Sequence, residues 1–196
     1  MGVPGADTAS ADTASGVAAR VVAAARTTGP RCGAITVVAL DGPSGAGKTV
    51  LAGQVVAALR VAGARVTMLR MDDLYDGWDG LAAAIPSLQG VFGELAAGRP
   101  GRFRRYDWAA GGFSPTLEVG PTEWIVVDGV GSGARPCRGW LSALVWVDAP
   151  ERVRHRRAMD RDEVTYQPHW QRWANQEQAH FAEHRTAEAA TLRVSI

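Results

Sequence analysis

A short glycine-rich segment, Gly42–Thr49, narrows the folds open to this chain more than any other part of its sequence. It matches the pattern GxxxxGK followed by Ser or Thr at every fixed position. Its members are Gly42, Pro43, Ser44, Gly45, Ala46, Gly47, Lys48 and Thr49. Glycines let the backbone curl so that successive N–H groups point inward, which makes a concave site for phosphate oxygens. Lys48 is the only lysine in a chain that otherwise uses arginine, which indicates a position that needs a compact ammonium.

The segments on either side of the loop support the same interpretation. Ala34–Leu40 is a short β-branched run typical of a buried parallel strand, and Lys48–Ala62 is predicted to be a helix that Gly63 ends. A helix that begins at such a loop adds the positive end of its dipole. In this setting we expect Lys48 to reach the β- and γ-phosphates of ATP and the Thr49 hydroxyl to bind Mg²⁺.

Strands and helices alternate along the rest of the chain. Further strands are predicted at Arg65–Arg70, Glu123–Asp128, Ala143–Val147 and Leu192–Ile196. Helices are predicted at Val17–Thr28, Leu81–Ala97, Pro150–Arg161 and Trp170–Glu188. This order predicts an α/β protein with the three-layer P-loop NTPase fold, in which a mostly parallel five-stranded sheet carries helices on both faces. Ligands in such sheets gather beyond the carboxyl ends of the strands.

Some segments interrupt this regular pattern. Pro86 and Gly90 are expected to break or kink the helix that contains them. Gly98–Pro121 is rich in Gly, Pro and Arg and is predicted to be irregular, with room for small strands. Residues 1–15 are small and polar and are predicted to be a flexible leader. Residues 16–196 are then a single P-loop kinase-like domain with a lid at about 150–165.

Composition excludes several classes of partner. The net charge of +1 gives no field that would recruit nucleic acid or an acidic membrane surface. No apolar run approaches the roughly 20 residues of a membrane span, and the N-terminus lacks a signal peptide pattern, so we expect a cytoplasmic protein.

The two cysteines, Cys32 and Cys137, form no metal-binding pattern and are predicted to be free thiols. His180 and His184 lie one helical turn apart, and we interpret them as a solvated or half-buried face rather than a metal pair.

Acidic residues follow two of the predicted strands. Asp128 ends the run that begins at Trp124, and an acid at this place commonly holds Mg²⁺, although it could also only cap a turn with Gly129. Asp72 follows the second strand, where an acceptor hydroxyl would lie close to the γ-phosphate, and it is our candidate for the base. Asp73 is the alternative base, and a loop acid that tightens a turn is the competing interpretation.

Two arginine-containing segments complete the candidate site. Arg154, Arg157 and Arg161 share one face of a predicted helix, which suits a lid that neutralises phosphate charge, while a solvated basic helix is the alternative. Arg104–Trp108 mixes aromatic and charged residues in a way that suits a small-molecule pocket, although a packed aromatic corner would look the same.

Taken together, these residues resemble the uridine kinase-like branch of the P-loop kinases. The resemblance spans about Ile35 to Ile196 and is carried by Gly42–Thr49, Asp72–Tyr75, Tyr106–Trp108 and Val147–Pro150. It implies that Asp72 is the catalytic aspartate, that Tyr106 contacts a nucleoside, that Asp128 lies near the metal and that Arg157 and Arg161 act from the lid. The histidine and arginine that uridine kinases carry next are replaced here by Ala109–Phe113, which puts pyrimidine nucleoside specificity in question.

The expected activity is transfer of the γ-phosphate of ATP, with Mg²⁺, to a hydroxyl of a small-molecule acceptor, which could be a nucleoside. Lys48, Asp72, Arg157 and Arg161 are the predicted catalytic residues. The residues predicted to line the acceptor site are Asp72, Tyr75, Trp78, Tyr106 and Trp108. Two alternatives stay open: an ATPase switch that acts on a partner protein, and a nucleoside monophosphate kinase in which arginines 102, 104 and 105 hold the acceptor phosphate. A homodimer is also left open.

Overall fold

The computed structural model describes the backbone of residues 14–196 and the side chains of residues 15–160 and 166–196. Residues 1–13 of the predicted leader lie outside the described residues. The strands are β1 (Thr36–Asp41), β2 (Val66–Arg70), β3 (Gly101–Asp107), β4 (Gly112–Val119), β5 (Trp124–Asp128), β6 (Ala143–Asp148) and β7 (Leu192–Ser195). The helices are α1 (Ala14–Thr28), α2 (Lys48–Val61), α3 (Leu81–Ala96), α4 (Glu151–Tyr166), α5 (Trp170–His184) and α6 (Thr186–Ala189).

A five-stranded sheet in the order β2-β5-β1-β6-β7 forms the centre of the domain, and all its described pairings are parallel. Strand β1 is buried along its whole length, so its side chains serve two cores. Val38 and Leu40 pack towards α1 and α2, whereas Val37 and Ala39 pack towards α3 and α5. The predicted three-layer fold with a parallel five-stranded sheet is therefore confirmed.

A separate antiparallel hairpin, β3–β4, replaces the irregular segment expected at Gly98–Pro121. Its register shifts between Arg104 and Tyr106, and most of its residues are exposed or half-buried. Because little of this ribbon is buried, its sequence shows neither a continuous apolar run nor a clean alternation. The hairpin contacts the turn after β2, which brings Tyr106 and Trp108 to the carboxyl edge of the main sheet.

Helix α3 runs unbroken through Pro86 and Gly90, so the predicted break is wrong. Both residues are exposed on the outer side of the helix, while Leu88 and Phe92 are among seven residues buried on the inner side. Burial of each large apolar side chain stabilises by about 1.5–3 kcal/mol, and the sum outweighs the roughly 3 kcal/mol cost of one proline.

The C-terminal helical region also differs from the prediction. Helix α5 ends at His184 because Arg185 adopts a left-handed conformation with φ 51°, and the short helix α6 follows in a new direction. Cys32 and Cys137 are buried free thiols, as predicted. Within the described part of the chain, no helix is long and apolar enough to cross a membrane.

Candidate active site

The glycine-rich loop lies between β1 and α2, at the carboxyl edge of the sheet. Gly42, Gly45 and Gly47 have φ values of 139°, 76° and 100°, which side-chain-bearing residues rarely adopt. A Cβ atom on Gly42 would lie 2.0 Å from the Val147 carbonyl oxygen, and one on Gly45 would lie 2.2 Å from the Arg154 carbonyl oxygen. The loop therefore packs against β6 and α4 at a distance that only glycine allows.

Lys48 is the first residue of α2, and its side chain folds back across the loop. Its Nζ donates hydrogen bonds to the carbonyl oxygens of Gly42 at 2.7 Å and Pro43 at 2.9 Å. The residue is 8% exposed, so its ammonium is held at the loop and does not extend into solvent. A fixed positive charge beside inward-facing N–H groups and a helix N-terminus suits a bound polyphosphate.

Asp41, the last residue of β1, fastens this loop to a second glycine-rich segment. Its buried carboxylate accepts hydrogen bonds from the backbone N–H groups of Gly42, Gly131 and Gly133 at 2.7, 3.0 and 2.8 Å. Burial raises the pKa of Asp41 to about 6, against the lowering effect of these hydrogen bonds and of Lys48. The sequence analysis did not select Asp41, although an acid that ends a buried strand directly before the motif was a usable signal.

Asp128 and Thr49 meet because β5 lies beside β1, with Asp128 in register with Leu40. Asp128 is 4% exposed; burial raises the pKa of its carboxyl, while a hydrogen bond from Thr49 and the charge of Lys48 lower it. Among the side chains that the structure describes, none donates a hydrogen bond to Asp128 Oδ1. A buried carboxylate oxygen without a donor, next to a hydroxyl, is the hard oxygen set that Mg²⁺ prefers, so these residues fit a magnesium ion.

Asp72 lies in a 3-10 turn, Met71–Asp73, directly after β2. Strand β2 neighbours β5, with Arg70 in register with Asp128, and the charge of Asp72 contributes to the raised pKa of Asp128. The charge of one carboxylate therefore acts on the other. Asp72 is exposed, whereas Asp73 is half-buried and has its pKa raised by burial, with Arg105 opposing that shift.

The aromatic residues predicted for the acceptor site divide into two groups. Trp108 packs edge-on against Trp78 and Tyr106, with ring centroids 4.9 and 5.1 Å away, and its Nε1 donates to the Asp72 carbonyl oxygen at 3.0 Å. Tyr75, in contrast, is 2% exposed, and its hydroxyl donates to the Val130 carbonyl oxygen at 2.8 Å. The structure therefore gathers Trp78, Tyr106 and Trp108 beside Asp72 and leaves Tyr75 in the core.

Helix α4 carries the predicted lid arginines. The Nη1 atom of Arg157 is 3.7 Å from the position a Cβ on Gly47 would take, so this exposed guanidinium lies at the rim of the loop. Arg154 instead donates from Nε to the Ala149 carbonyl oxygen at 3.0 Å and stays in place at the start of the helix. The side chain of Arg161 lies outside the described residues.

Glu177 and Trp173 of α5 reach the loop as well, and the sequence analysis did not select either residue. Glu177 Oε1 accepts hydrogen bonds from the Ser44 backbone N–H at 2.9 Å and from Ser44 Oγ at 2.6 Å. The Trp173 indole N–H donates to the same carboxylate oxygen at 2.8 Å and to Ser44 Oγ at 3.0 Å. Their one-turn spacing was the only sequence signal, and it indicates packing as readily as function.

His180 and His184 are buried, at 6% and 8% exposure, which corrects the expectation of a solvated or half-buried face. Their rings lie 4.4 Å apart. Burial, His184 and Arg138 lower the pKa of His180 to about 4. No cluster of three or more metal-ligating side chains occurs among the described residues.

Comparison with known proteins shows the fold. No protein-family model and no curated protein sequence matches the chain. Among solved structures, one described as a possible uridine kinase from Bacillus stearothermophilus has a TM-score of 0.61 at 20% identity, covering 82% of this chain and 88% of that chain. A protein from Silicibacter sp. TM1040, provisionally described as a fructose transport system kinase, has a TM-score of 0.58 at 20% identity, covering 92% of this chain and 98% of that chain.

Both similar structures extend over more than four fifths of this chain. This chain has the fold of the uridine kinase-like P-loop kinases.

Proposed function

We propose that this protein is a kinase that moves the γ-phosphate of ATP to a hydroxyl of a small molecule. The observation that carries the proposal is the meeting of three groups at one edge of the sheet. Lys48 folds over the phosphate loop, Asp128 and Thr49 lie beside it, and Asp72 interacts electrostatically with Asp128. These are the groups that phosphoryl transfer requires: a polyphosphate cradle, oxygen ligands for a metal and a carboxylate for the acceptor. The likeness in fold to two proteins described as a possible uridine kinase and, provisionally, a fructose transport system kinase is consistent with it.

In the proposed reaction, the loop N–H groups and Lys48 bind the phosphates and hold the γ-phosphoryl group in line with the acceptor. Thr49 and Asp128 would hold Mg²⁺, which would neutralise phosphate charge. Asp72 accepts the proton of the acceptor hydroxyl as its oxygen bonds to the γ-phosphorus. The bond from that phosphorus to the bridging oxygen breaks, and ADP leaves. Arg157, at the rim of the loop, stabilises the charge on the transferring group.

The surroundings of Asp72 suit a neutral acceptor with an apolar or planar part. Trp78, Tyr106 and Trp108 supply aromatic surface there. Two of the three arginines predicted for a phosphorylated acceptor are engaged elsewhere in the hairpin, whereas the charge of Arg105 acts on Asp73, next to Asp72. Arg102 pairs with Glu118 at 3.0 Å, and Arg104 lies over the Phe113 ring at 5.2 Å. The aromatic surface favours a small hydroxyl compound, and Arg105 is the one of these arginines that a nucleoside monophosphate could use beside Asp72.

A thermal-shift screen tests this proposal. The protein is melted with nucleosides, nucleotides, sugars and vitamin precursors, each with Mg²⁺ and a non-hydrolysable ATP analogue. A ligand that binds only the folded state raises the melting temperature. We expect the analogue to raise it alone and one class of hydroxyl compound to raise it further. The proposal fails if the analogue gives no shift with Mg²⁺ present.

A further inference from the structure

Glu177 presents a negative charge to the phosphate loop from inside the protein. It is 5% exposed, and one of its oxygens accepts the Ser44 N–H, the Ser44 hydroxyl and the Trp173 indole N–H. The Ser44 N–H belongs to the loop whose N–H groups bind phosphate in the proposed function. A carboxylate oxygen 2.9 Å from that nitrogen therefore occupies a donor that a phosphate oxygen would use.

We propose that Glu177 is an internal competitor of the nucleotide, whose carboxylate the triphosphate must displace from Ser44. The inference rests on the proposed function, since it requires ATP to bind at this loop. An N–H group makes one strong hydrogen bond, and two anions at the same donor repel each other. Without nucleotide, the Ser44 N–H therefore stays bound to Glu177. A polyphosphate, which carries more negative charge than one carboxylate, would replace Glu177 at this N–H.

Helix α5 links this displacement to the acceptor side of the site. Trp173 and Glu177 face Ser44, whereas Arg172 and Gln176, each one residue earlier, face the 3-10 turn Gly77–Asp79. Gln176 Nε2 donates to the Trp78 carbonyl oxygen at 2.6 Å, and Arg172 forms an ion pair with Asp79. His169, directly before α5, stacks on the Trp78 ring with centroids 4.6 Å apart. A helix that moves with Glu177 would therefore loosen the turn that carries Trp78.

The direct test measures the affinity of a non-hydrolysable ATP analogue with Mg²⁺ by calorimetry for three proteins. Glu177→Gln keeps the shape and the acceptor oxygen but removes the charge. Hydrogen bonds to a charged acceptor are about twice as strong as those to a neutral one, so we expect Glu177→Gln to bind the analogue about tenfold more tightly than wild type. Glu183→Gln, an exposed carboxylate on the same helix, is the matched control and should bind like wild type.

The outcomes separate the inference from the proposed function. Wild-type protein that binds the analogue, with Glu177→Gln binding equally or more weakly, overturns the competitor role and leaves the kinase proposal intact. If wild type does not bind the analogue at all, the proposed function fails and this inference fails with it.

Hydrogen exchange in the wild-type protein gives a second test that does not depend on how well the variant folds. Saturating analogue should make the Gly80 amide, which donates to the Gly77 carbonyl oxygen at 3.2 Å and closes this turn, exchange faster, because α5 no longer restrains the turn. Unchanged or slower exchange in this turn, at saturation, would show that the helix does not transmit displacement of Glu177.

Discussion

Lys48 Nζ lies 2.7 Å from the Gly42 carbonyl oxygen, so the side chain of Lys48, which starts at the end of the loop, reaches back to the first residue of the loop. The carbonyl oxygens of Gly42 and Pro43 hold the ammonium group in place, and its positive charge would also attract the phosphates of ATP. Lys48→Ala should therefore abolish detectable binding of ATP while the protein still folds cooperatively. Calorimetric titration and a melting curve check both parts. Arg60→Ala, an exposed cation later in the same helix, should bind normally; a Lys48→Ala protein that binds equally well would remove the lysine from the site.

Asp72 is predicted to act on the acceptor and not on ATP. Asp72→Asn should leave ATP affinity near normal and lower turnover by about 10²–10⁴-fold, because the amide cannot accept the hydroxyl proton. Steady-state kinetics with the acceptor found in the screen measure this effect. Asp76→Asn, also exposed in this loop, serves as the control. Normal turnover in Asp72→Asn with a large loss in Asp73→Asn would make Asp73 the base.

Asp128 is predicted to hold the metal through its buried carboxylate. Asp128→Asn should raise the Mg²⁺ concentration that half-saturates activity by about 10–100-fold, since an amide is a weaker ligand for a hard cation. A magnesium titration at fixed ATP tests this requirement. Asp148→Asn changes the acid that ends β6, on the other side of β1, where it pairs with Arg154, and should leave the requirement unchanged. Identical magnesium curves for Asp128→Asn and wild type would contradict the assignment.

The lowered pKa of His180 predicts how the free energy of unfolding depends on pH. Burial lowers its pKa to about 4, below the usual 6.5, so the folded state holds the neutral ring. The resulting stability is complete above about pH 6.5 and is lost as the pH falls towards 4. His180→Gln should reduce this loss by about 3 kcal/mol, at 1.36 kcal/mol per pKa unit.

Denaturant unfolding at several pH values between 7 and 4 measures the difference between variant and wild type. Comparing the two proteins matters because Asp41, with its pKa raised to about 6, stabilises the folded state as the pH falls through the same range. His155→Gln, an exposed histidine, should follow the wild-type curve. Parallel curves for His180→Gln and wild type would show that His180 does not titrate differently on folding.

The candidate site residues whose place in the fold the sequence predicted depend on local rules. The glycine-rich loop has a recognisable sequence motif. Asp128 ends β5 and Asp72 directly follows β2, and parallel pairing brings the carboxyl ends of these two strands to one edge of the sheet. Glu177 could not be found this way, because it meets Ser44 from 133 residues further along the chain. Tyr75 was misplaced for a similar reason: only the packing against Trp173 and Val130 shows that its ring faces the core.

The hairpin and α3 show the same limit in the fold. Largely exposed strands such as β3 show only a weak alternation of apolar and polar residues, because almost any residue type is tolerated at a solvent-exposed position. A proline such as Pro86 breaks a helix only when burial of the helix's apolar face does not compensate for its cost. The extent of that burial depends on which residues pack against Leu88 and Phe92, and the sequence does not give these tertiary contacts.

The most direct test of a kinase measures ADP release on mixing the protein with ATP, Mg²⁺ and a pool of small metabolites. We predict ADP release that depends on an acceptor, yields a phosphorylated product and disappears in Lys48→Ala. Slow ADP release that ignores every metabolite but responds to a partner protein would contradict transfer and identify an ATPase switch instead.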